Sequence, residues 1–113
     1  MMGAGERDVS KMAGYIGLAV RAGQAVTGTE ACVSALRGGK AAVVLLDSGA
    51  SLNTQKRFSD ACTHRRVPLV LVPEGVLEKA VGKTGRMALA LGPGGLARKV
   101  LDCAGQDTDM EPT

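Results

Sequence analysis

Two short stretches of this 113-residue chain hold residues that could bind an anion. Residues 27–30 (TGTE) open an apolar-striped segment that ends at a pair of glycines, and residues 82–86 (GKTGR) combine two cations with two glycines. The free N–H groups at the start of a helix favour an anionic ligand, and a glycine there lets that ligand come close to the backbone. Side by side, the two stretches would suit a phosphodiester chain with a few base edges.

Other candidate sites fit their motifs less well. GKTGR resembles the end of a phosphate-binding P-loop, but Leu77 stands where the first glycine of GxxxxGK[ST] is needed, and the predicted helix and strand come in the reverse order. Residues 92–99 (GPGGLARK) could present N–H groups to an anion or could simply be a turn into the last helix. His64 lies beside two arginines at a predicted helix end, where the helix dipole favours a cation.

The sequence offers no pattern typical of a catalytic or metal centre. Its three cysteines, Cys32, Cys62 and Cys103, have no CxxC spacing and stand among apolar neighbours, so we interpret them as small buried hydrophobes in a reducing cytoplasm. No carboxylate pair, serine–histidine spacing or ligand cluster is evident. We therefore predict a protein that is not an enzyme, needs no cofactor and takes no small-molecule substrate.

Charge and composition point to a polyanionic partner. Residues 9–104 carry 13 Lys and Arg against six Asp and Glu, whereas residues 105–113 carry three acidic residues and no basic one. Such a basic body favours nucleic acid, although the same charge could serve solubility alone. With Tyr15 and Phe58 as the only aromatics, base-stacking modules are disfavoured. No apolar run reaches the roughly 20 residues that span a bilayer, so we expect a cytoplasmic monomer with no membrane partner.

Apolar periodicity predicts alternating helices and strands. Helices are expected over residues 9–22, 28–37, from Ser51 or Asn53 onward, 73–81 and in the last segment, with Thr27 capping the second helix in a capping box with Glu30. Residues 24–27 form a short extended piece. The runs at 41–46, 67–72 and 87–91 do not alternate, which predicts adjacent central strands covered on both faces.

One domain follows from this pattern. We predict that residues 9–104 form a three-layer α/β/α sandwich around a mixed sheet of about four strands. Residues 1–8 and 105–113 are predicted to be flexible tails.

The order of these segments is similar to a known family. Residues 16–62 (IGLAVRAGQAVTGTEACVSALRGGKAAVVLLDSGASLNTQKRFSDAC), then VPLVLV, LEKAVGK and MALALGPGGLARKVL, resemble the ribosomal protein L-seven-Ae / L-thirty-e / Gadd-forty-five superfamily, and within it the small bacterial proteins of the YlxQ type. The resemblance spans about residues 9–104. It implies the same sandwich fold and an RNA-binding accessory protein of the ribosome or translation apparatus. The RNA would be a kink-turn or related internal loop, held at the helix tip around Gly28 and at the loop of residues 82–86, which are the family's β1–α2 tip and α4–β4 loop.

Carried over residue by residue, the resemblance gives a specific site. Strong kink-turn binders read G-x-N-E-x-x-K at the helix tip; Gly28 begins the same motif here, but Glu30, Ala31 and Ser34 replace its Asn, Glu and Lys. Glu78 also replaces a glycine usual near the loop. Glu30 could accept from guanine N–H groups but cannot donate to O6 or N7. The alternative is a protein-interaction scaffold of the same fold that has lost kink-turn binding. The predicted RNA-binding residues are Gly28, Thr29, Glu30, Ser34, Arg37, Lys83, Thr84 and Arg86.

Overall fold

Helices and strands alternate along the chain in the computed structural model, which describes residues 9–83 and 85–104. The predicted flexible tails at 1–8 and 105–113 lie outside these residues. Within them, no helix is both long and apolar enough to cross a membrane. The elements are α1 (Val9–Arg21), β1 (Ala25–Thr27), α2 (Thr29–Arg37), β2 (Val43–Asp47), α3 (Leu52–Arg65), β3 (Leu69–Val72), α4 (Val76–Val81), β4 (Ala88–Leu91) and α5 (Gly95–Ala104).

The four strands form one mixed sheet in the order β1-β4-β2-β3. Strand β2 runs parallel to β3, and β4 runs antiparallel to both β1 and β2. The carboxyl ends of β1, β2 and β3 therefore meet at one end of the sheet, together with the start of β4. We call this the tip end, because the segment that leads into α2 begins there.

Alternate strand residues face two separate cores. Val43 and Leu45 of β2 belong to a cluster with residues of α1, α4 and α5, whereas Val44 and Leu46 belong to one with residues of α2 and α3. Strand β4 divides in the same way between its leucines and its alanines. Both faces of the central strands are thus covered by helices, which explains why their sequences are apolar throughout. The predicted three-layer α/β/α sandwich with a mixed sheet is confirmed.

One expectation about the strands is wrong in part. The three apolar runs do form neighbouring strands, but β3 is an edge strand and not a central one. Its Val70 and Val72 are buried against the first core, whereas Leu71 on the other face is 43% exposed. The sheet ends at β3, so α3 covers that face incompletely. The predicted start of α3 is confirmed at Ser51, whose Oγ accepts from the N–H of Thr54 at 3.1 Å.

Candidate nucleic-acid interface

The tip of α2 is built on a glycine. Gly28 is the N-cap, with φ 99° and ψ 149°, and no side chain among the described residues caps this helix start. Thr27 is the last residue of β1, opposite Leu89, and the N–H of Gly28 extends the same pairing by donating to the carbonyl of Ala88 at 3.0 Å. The predicted capping box of Thr27 and Glu30 is therefore wrong, because the sheet register holds Thr27 one residue before the cap position.

Arg86 lies directly against this glycine. A Cβ placed on Gly28 would stand 3.5 Å from Nη1 of Arg86, an ordinary van der Waals contact, so the guanidinium lies immediately beside the glycine. The Nε of Arg86 is buried and has no hydrogen-bond partner within residues 9–83 and 85–104. The structure thus brings together Gly28 and Arg86, one residue from each of the two stretches that could bind an anion. Buried donors are normally paired, so the lone Nε is an unusual feature of this position.

A hydrogen bond from the loop between α4 and β4 to a side chain of α4 stabilises that loop. Helix α4 ends at Val81 and is capped by Gly82, whose φ is 84°, and Lys83 is exposed just beyond it. The carboxylate of Glu78 accepts from the N–H of Gly85. Glu78, which stands where a glycine is usual in the resembled family, therefore holds the backbone N–H of Gly85, next to Arg86. Thr84, the remaining candidate in this loop, lies outside the described residues.

Glu30 is engaged by an arginine from the neighbouring helix. Nη1 and Nη2 of Arg57 in α3 donate to Oε2 and Oε1 of Glu30 at 2.9 and 3.1 Å. These hydrogen bonds and the charge of Arg57 lower the pKa of Glu30, and the charge of Arg37 lowers it further. Thr29 is half-buried beside Glu30, and Ser34 is exposed one turn along α2. Arg57 is a member of this surface that the sequence does not point to, because 27 residues separate it from Glu30.

Arg37 belongs to the other end of α2. Its backbone lies eight residues beyond Thr29, a rise of about 12 Å along the helix. Its carbonyl accepts from Nη2 of Arg65 at 2.6 Å. Arg37 therefore does not join Gly28 and Arg86 at the tip, although its charge acts on Glu30.

Asp47 supports the tip end from inside the sheet. It is 3% exposed, and its two carboxylate oxygens accept from the N–H groups of Gly49 at 2.7 Å and Gly75 at 3.1 Å. Its own N–H donates to the carbonyl of Met87 at 2.8 Å, just after Arg86. Asp47 is not among the functional residues predicted from the sequence. An acid that closes an apolar strand and is followed by a glycine two residues later is the signal that could have identified it.

The positions of the three cysteines and of His64 are explained by packing and helix geometry. Burial raises the pKa of Cys32 to about 12 and that of Cys62 to about 11, and Cys103 is half-buried. The interpretation of Cys32 and Cys62 as buried hydrophobes is confirmed. His64 is exposed in the last turn of α3, as predicted. In the described part of the chain, no group of three or more His, Cys, Asp or Glu is placed to hold a metal ion.

Relatives of this chain are found among both sequences and solved structures. It is 36% identical over 87 residues to the RNA-binding protein YlxQ of Bacillus subtilis (strain 168), which covers 76% of this chain and 87% of the relative. The RNA-binding protein YlxQ of Enterococcus faecium is 34% identical to this chain over 95 residues, an alignment that covers 83% of this chain and 91% of that protein. Comparison with models of protein families gives no match.

Two solved structures share the fold of this chain. A protein of unknown function from Bacillus halodurans C has a TM-score of 0.80 at 32% identity and covers 84% of this chain and 97% of its own. The 15.5kD RNA binding protein of Giardia lamblia has a TM-score of 0.75 over 90% of this chain and 89% of its own; at 17% identity it shows a shared fold alone. Identity above 30% across most of both chains shows common descent: the chain belongs to the YlxQ family.

Proposed function

We propose that this protein binds structured RNA at its tip end, using the start of α2 and the α4–β4 loop as one surface. The observation that carries the proposal is Arg86, which packs against the N-cap Gly28 and has a buried Nε with no hydrogen-bond partner in the part of the chain that the structure describes. The names of the two YlxQ relatives support RNA as the ligand. The finer proposal is a kink-turn or related internal loop, bound by a cytoplasmic monomer that serves the ribosome or translation apparatus and has no catalytic role.

The chemistry of the tip favours a nucleic-acid backbone. A helix start without a side-chain cap leaves N–H donors for phosphate oxygens, and the helix dipole adds partial positive charge. The guanidinium of Arg86 can donate two parallel hydrogen bonds to a phosphate, or to O6 and N7 of guanine. Lys83 adds a flexible cation on the same loop. Together these groups would hold the backbone firmly and read few bases.

Recognition of a standard kink-turn should be weaker than in relatives that keep the full tip motif. Ala31 and Ser34 replace the motif's Glu and Lys, and Glu30, at the Asn position, is already bound to Arg57. Each missing guanine contact costs roughly 1–3 kcal/mol. Two such losses would move a nanomolar site toward the micromolar range.

The first test removes the two loop cations. Lys83→Gln with Arg86→Gln should weaken binding of a labelled kink-turn RNA and of a plain duplex alike, and should flatten the log–log salt dependence by about two. The matched control is Arg66→Gln with Arg98→Gln, because both arginines line a depression at the opposite end of the sheet. Equal affinities and salt slopes for the two double variants would overturn the proposed surface. Absence of RNA binding by the folded wild type would favour the scaffold function.

The second test restores the tip motif with Glu30→Asn, Ala31→Glu and Ser34→Lys together. All three positions are exposed, so the new side chains have room. The triple variant should bind the kink-turn more tightly and the duplex about as before. Glu30→Gln alone is the control, since it breaks the ion pair with Arg57 without supplying the motif. A folded triple variant that gains no more affinity than this control would exclude the tip as a kink-turn site.

A further inference from the structure

A second basic surface lies between helices α2 and α3, away from the tip end. A groove of about 480 Å³ separates the two helices, and its polar lining consists of Arg37, Arg57, Asp60, His64 and Arg65. We call it the α2–α3 groove. Leu36 contributes to its apolar lining. The cations therefore surround a surface groove and not a flat face.

The acids of this surface are already matched by cations. Glu30 is held by Arg57, and Asp60 faces Nζ of Lys56 at 3.6 Å, one turn away on the same helix. With Arg37 and Arg65, the surface carries four cations and two acids. The surplus positive charge therefore lies toward Arg37 and Arg65, at the end of the groove remote from the tip.

Arg65 changes the electrostatic environment at the carboxyl end of α2. The carboxyl end of a helix exposes carbonyl oxygens and partial negative charge, which repel an anion. Here Nη2 of Arg65 covers the carbonyl of Arg37 at 2.6 Å. That hydrogen bond fixes the guanidinium in place and leaves its other N–H groups as donors. A helix end that would ordinarily repel phosphate is thus made favourable to it.

The groove and the tip are electrostatically continuous. Arg57 lines the groove and also binds Glu30 in the first turn of α2, and the charge of Arg37 contributes to the lowered pKa of Glu30. The two ends of α2 are about 12 Å apart. A duplex carries one charge per about 1.7 Å of axis, so one helical stem passes several phosphates along this length.

We propose that the α2–α3 groove is a second RNA contact, which holds the phosphate backbone of a helical stem flanking the loop bound at the tip. This inference rests on the proposed function, because the tip defines where the RNA enters. Arg37 and Arg65 grip the backbone, and Arg57 joins the two contacts. An acidic protein segment is the competing occupant that the experiment must separate.

The experiment titrates three RNAs against charge variants. One RNA is an internal loop with two long stems, and each of the other two has one of these stems shortened to a few closed base pairs. Arg37→Gln with Arg65→Gln should lose affinity for the long-stem RNA and bind one of the shortened RNAs as the wild type does. Each phosphate contact accounts for about a threefold loss of affinity between about 50 and 200 mM salt. The wild type should therefore lose about tenfold more affinity than this double variant over that range.

A variant that binds RNA more tightly cannot owe its effect to misfolding, so the experiment includes one. Asp60→Asn removes an acid from the groove and releases Lys56, so the long-stem RNA should bind more tightly with a steeper salt dependence. For Arg37→Gln with Arg65→Gln, the matched control is Arg98→Gln with Lys99→Gln, which also removes two cations but from α5, on the other face of the sheet from α2 and α3.

The outcomes separate the two proposals. If Lys83→Gln with Arg86→Gln weakens binding but the groove variants match the control with all three RNAs, the tip stands and the groove proposal is overturned. If neither pair of variants differs from the control, the proposed function fails with it. A groove variant that keeps full affinity for long-stem RNA but loses binding to a poly-glutamate peptide would assign the groove to an acidic protein.

Discussion

Arg57 of α3 and Glu30 in the first turn of α2 form a bidentate ion pair, with both N···O distances at or below 3.1 Å. The Glu30 side chain is nevertheless 81% exposed and that of Arg57 44% exposed, so water surrounds the pair. Exposed pairs contribute little to stability. The main consequence of this pair is electrostatic: it neutralises the one acid that stands at the tip of α2.

Breaking this pair from either side should have opposite effects on RNA binding. Glu30→Gln leaves an extra cation and should raise affinity, whereas Arg57→Gln leaves an uncompensated carboxylate and should lower it. Melting temperatures should change little in either variant. Anisotropy titrations at low salt measure the affinities, and the double variant should return close to wild type. Shifts in the same direction for both single variants would contradict this account.

Substitution of the N-cap glycine should lower the stability of the protein. Gly28→Ala forces a side chain into φ 99°, and the new Cβ meets the guanidinium of Arg86 at 3.5 Å. A residue strained in this way costs about 1–3 kcal/mol. Urea denaturation should register that loss in the free energy of unfolding.

Gly14→Ala is the matched control for this change. Gly14 lies within α1, is exposed and has open space around a new Cβ. Removing a glycine from a helix interior should stabilise the protein by roughly 0.5–1 kcal/mol. A Gly28→Ala protein as stable as wild type would show that the tip conformation is not held as described.

Asp47→Asn should destabilise the tip end without removing volume. An amide keeps one oxygen for the two N–H groups of Gly49 and Gly75 and turns an N–H donor toward one of them. Hydrogen bonds to a charged group contribute about 1.5–3 kcal/mol each, so a loss of that order is expected in urea denaturation. Asp102→Asn, at an exposed carboxylate on α5, should be close to neutral. Equal stability of the two variants would deny Asp47 this role.

The buried thiols should make stability depend on alkaline pH. The pKa of Cys32 rises to about 12 and that of Cys62 to about 11, from 9.0 when unburied. Above pH 9 the unfolded chain releases these protons while the folded chain keeps them, so their contribution to stability is full below pH 9 and is lost between 9 and about 12.

Unfolding by guanidinium chloride, measured at neutral and at alkaline pH, tests this prediction. Wild type should lose more stability on going to alkaline pH than Cys32→Ala with Cys62→Ala, even though the double variant is less stable at neutral pH because of the cavities. Tyr15 and the lysines are common to both proteins, so the difference reports the thiols. Parallel pH profiles would contradict the prediction.

Much of the fold can be predicted from the sequence because the strand runs are apolar throughout. Strands β2 and β4 are covered on both faces, so their lack of alternation indicates central positions correctly. The same reasoning is wrong for β3, because Leu71 belongs to an apolar run and yet stands at an edge that α3 leaves partly open. Which strand ends a sheet depends on strand order, and hydropathy does not encode strand order.

The candidate site is less accessible to sequence reasoning, because its contacts join distant segments. TGTE has the form of a capping box, but pairing of Thr27 with Leu89 moves the cap to Gly28 and leaves Glu30 available to Arg57. Neither the strand register nor the ion pair leaves a local pattern. The contact of Gly28 with Arg86 corresponds in the sequence only to two anion-binding stretches considered side by side, and the RNA contact itself stays a prediction.

The carboxylate of Asp47 joins the turn after β2 to the turn after β3, and its backbone reaches the residue that follows Arg86. In native-state hydrogen exchange, amides released by a common opening exchange at a common rate. The N–H groups of Gly49 and Gly75 share one acceptor group although 26 positions separate them in the chain. The tip end should consequently open as a single cooperative unit, with these two amides exchanging together and ahead of the paired amides of β2 and β4.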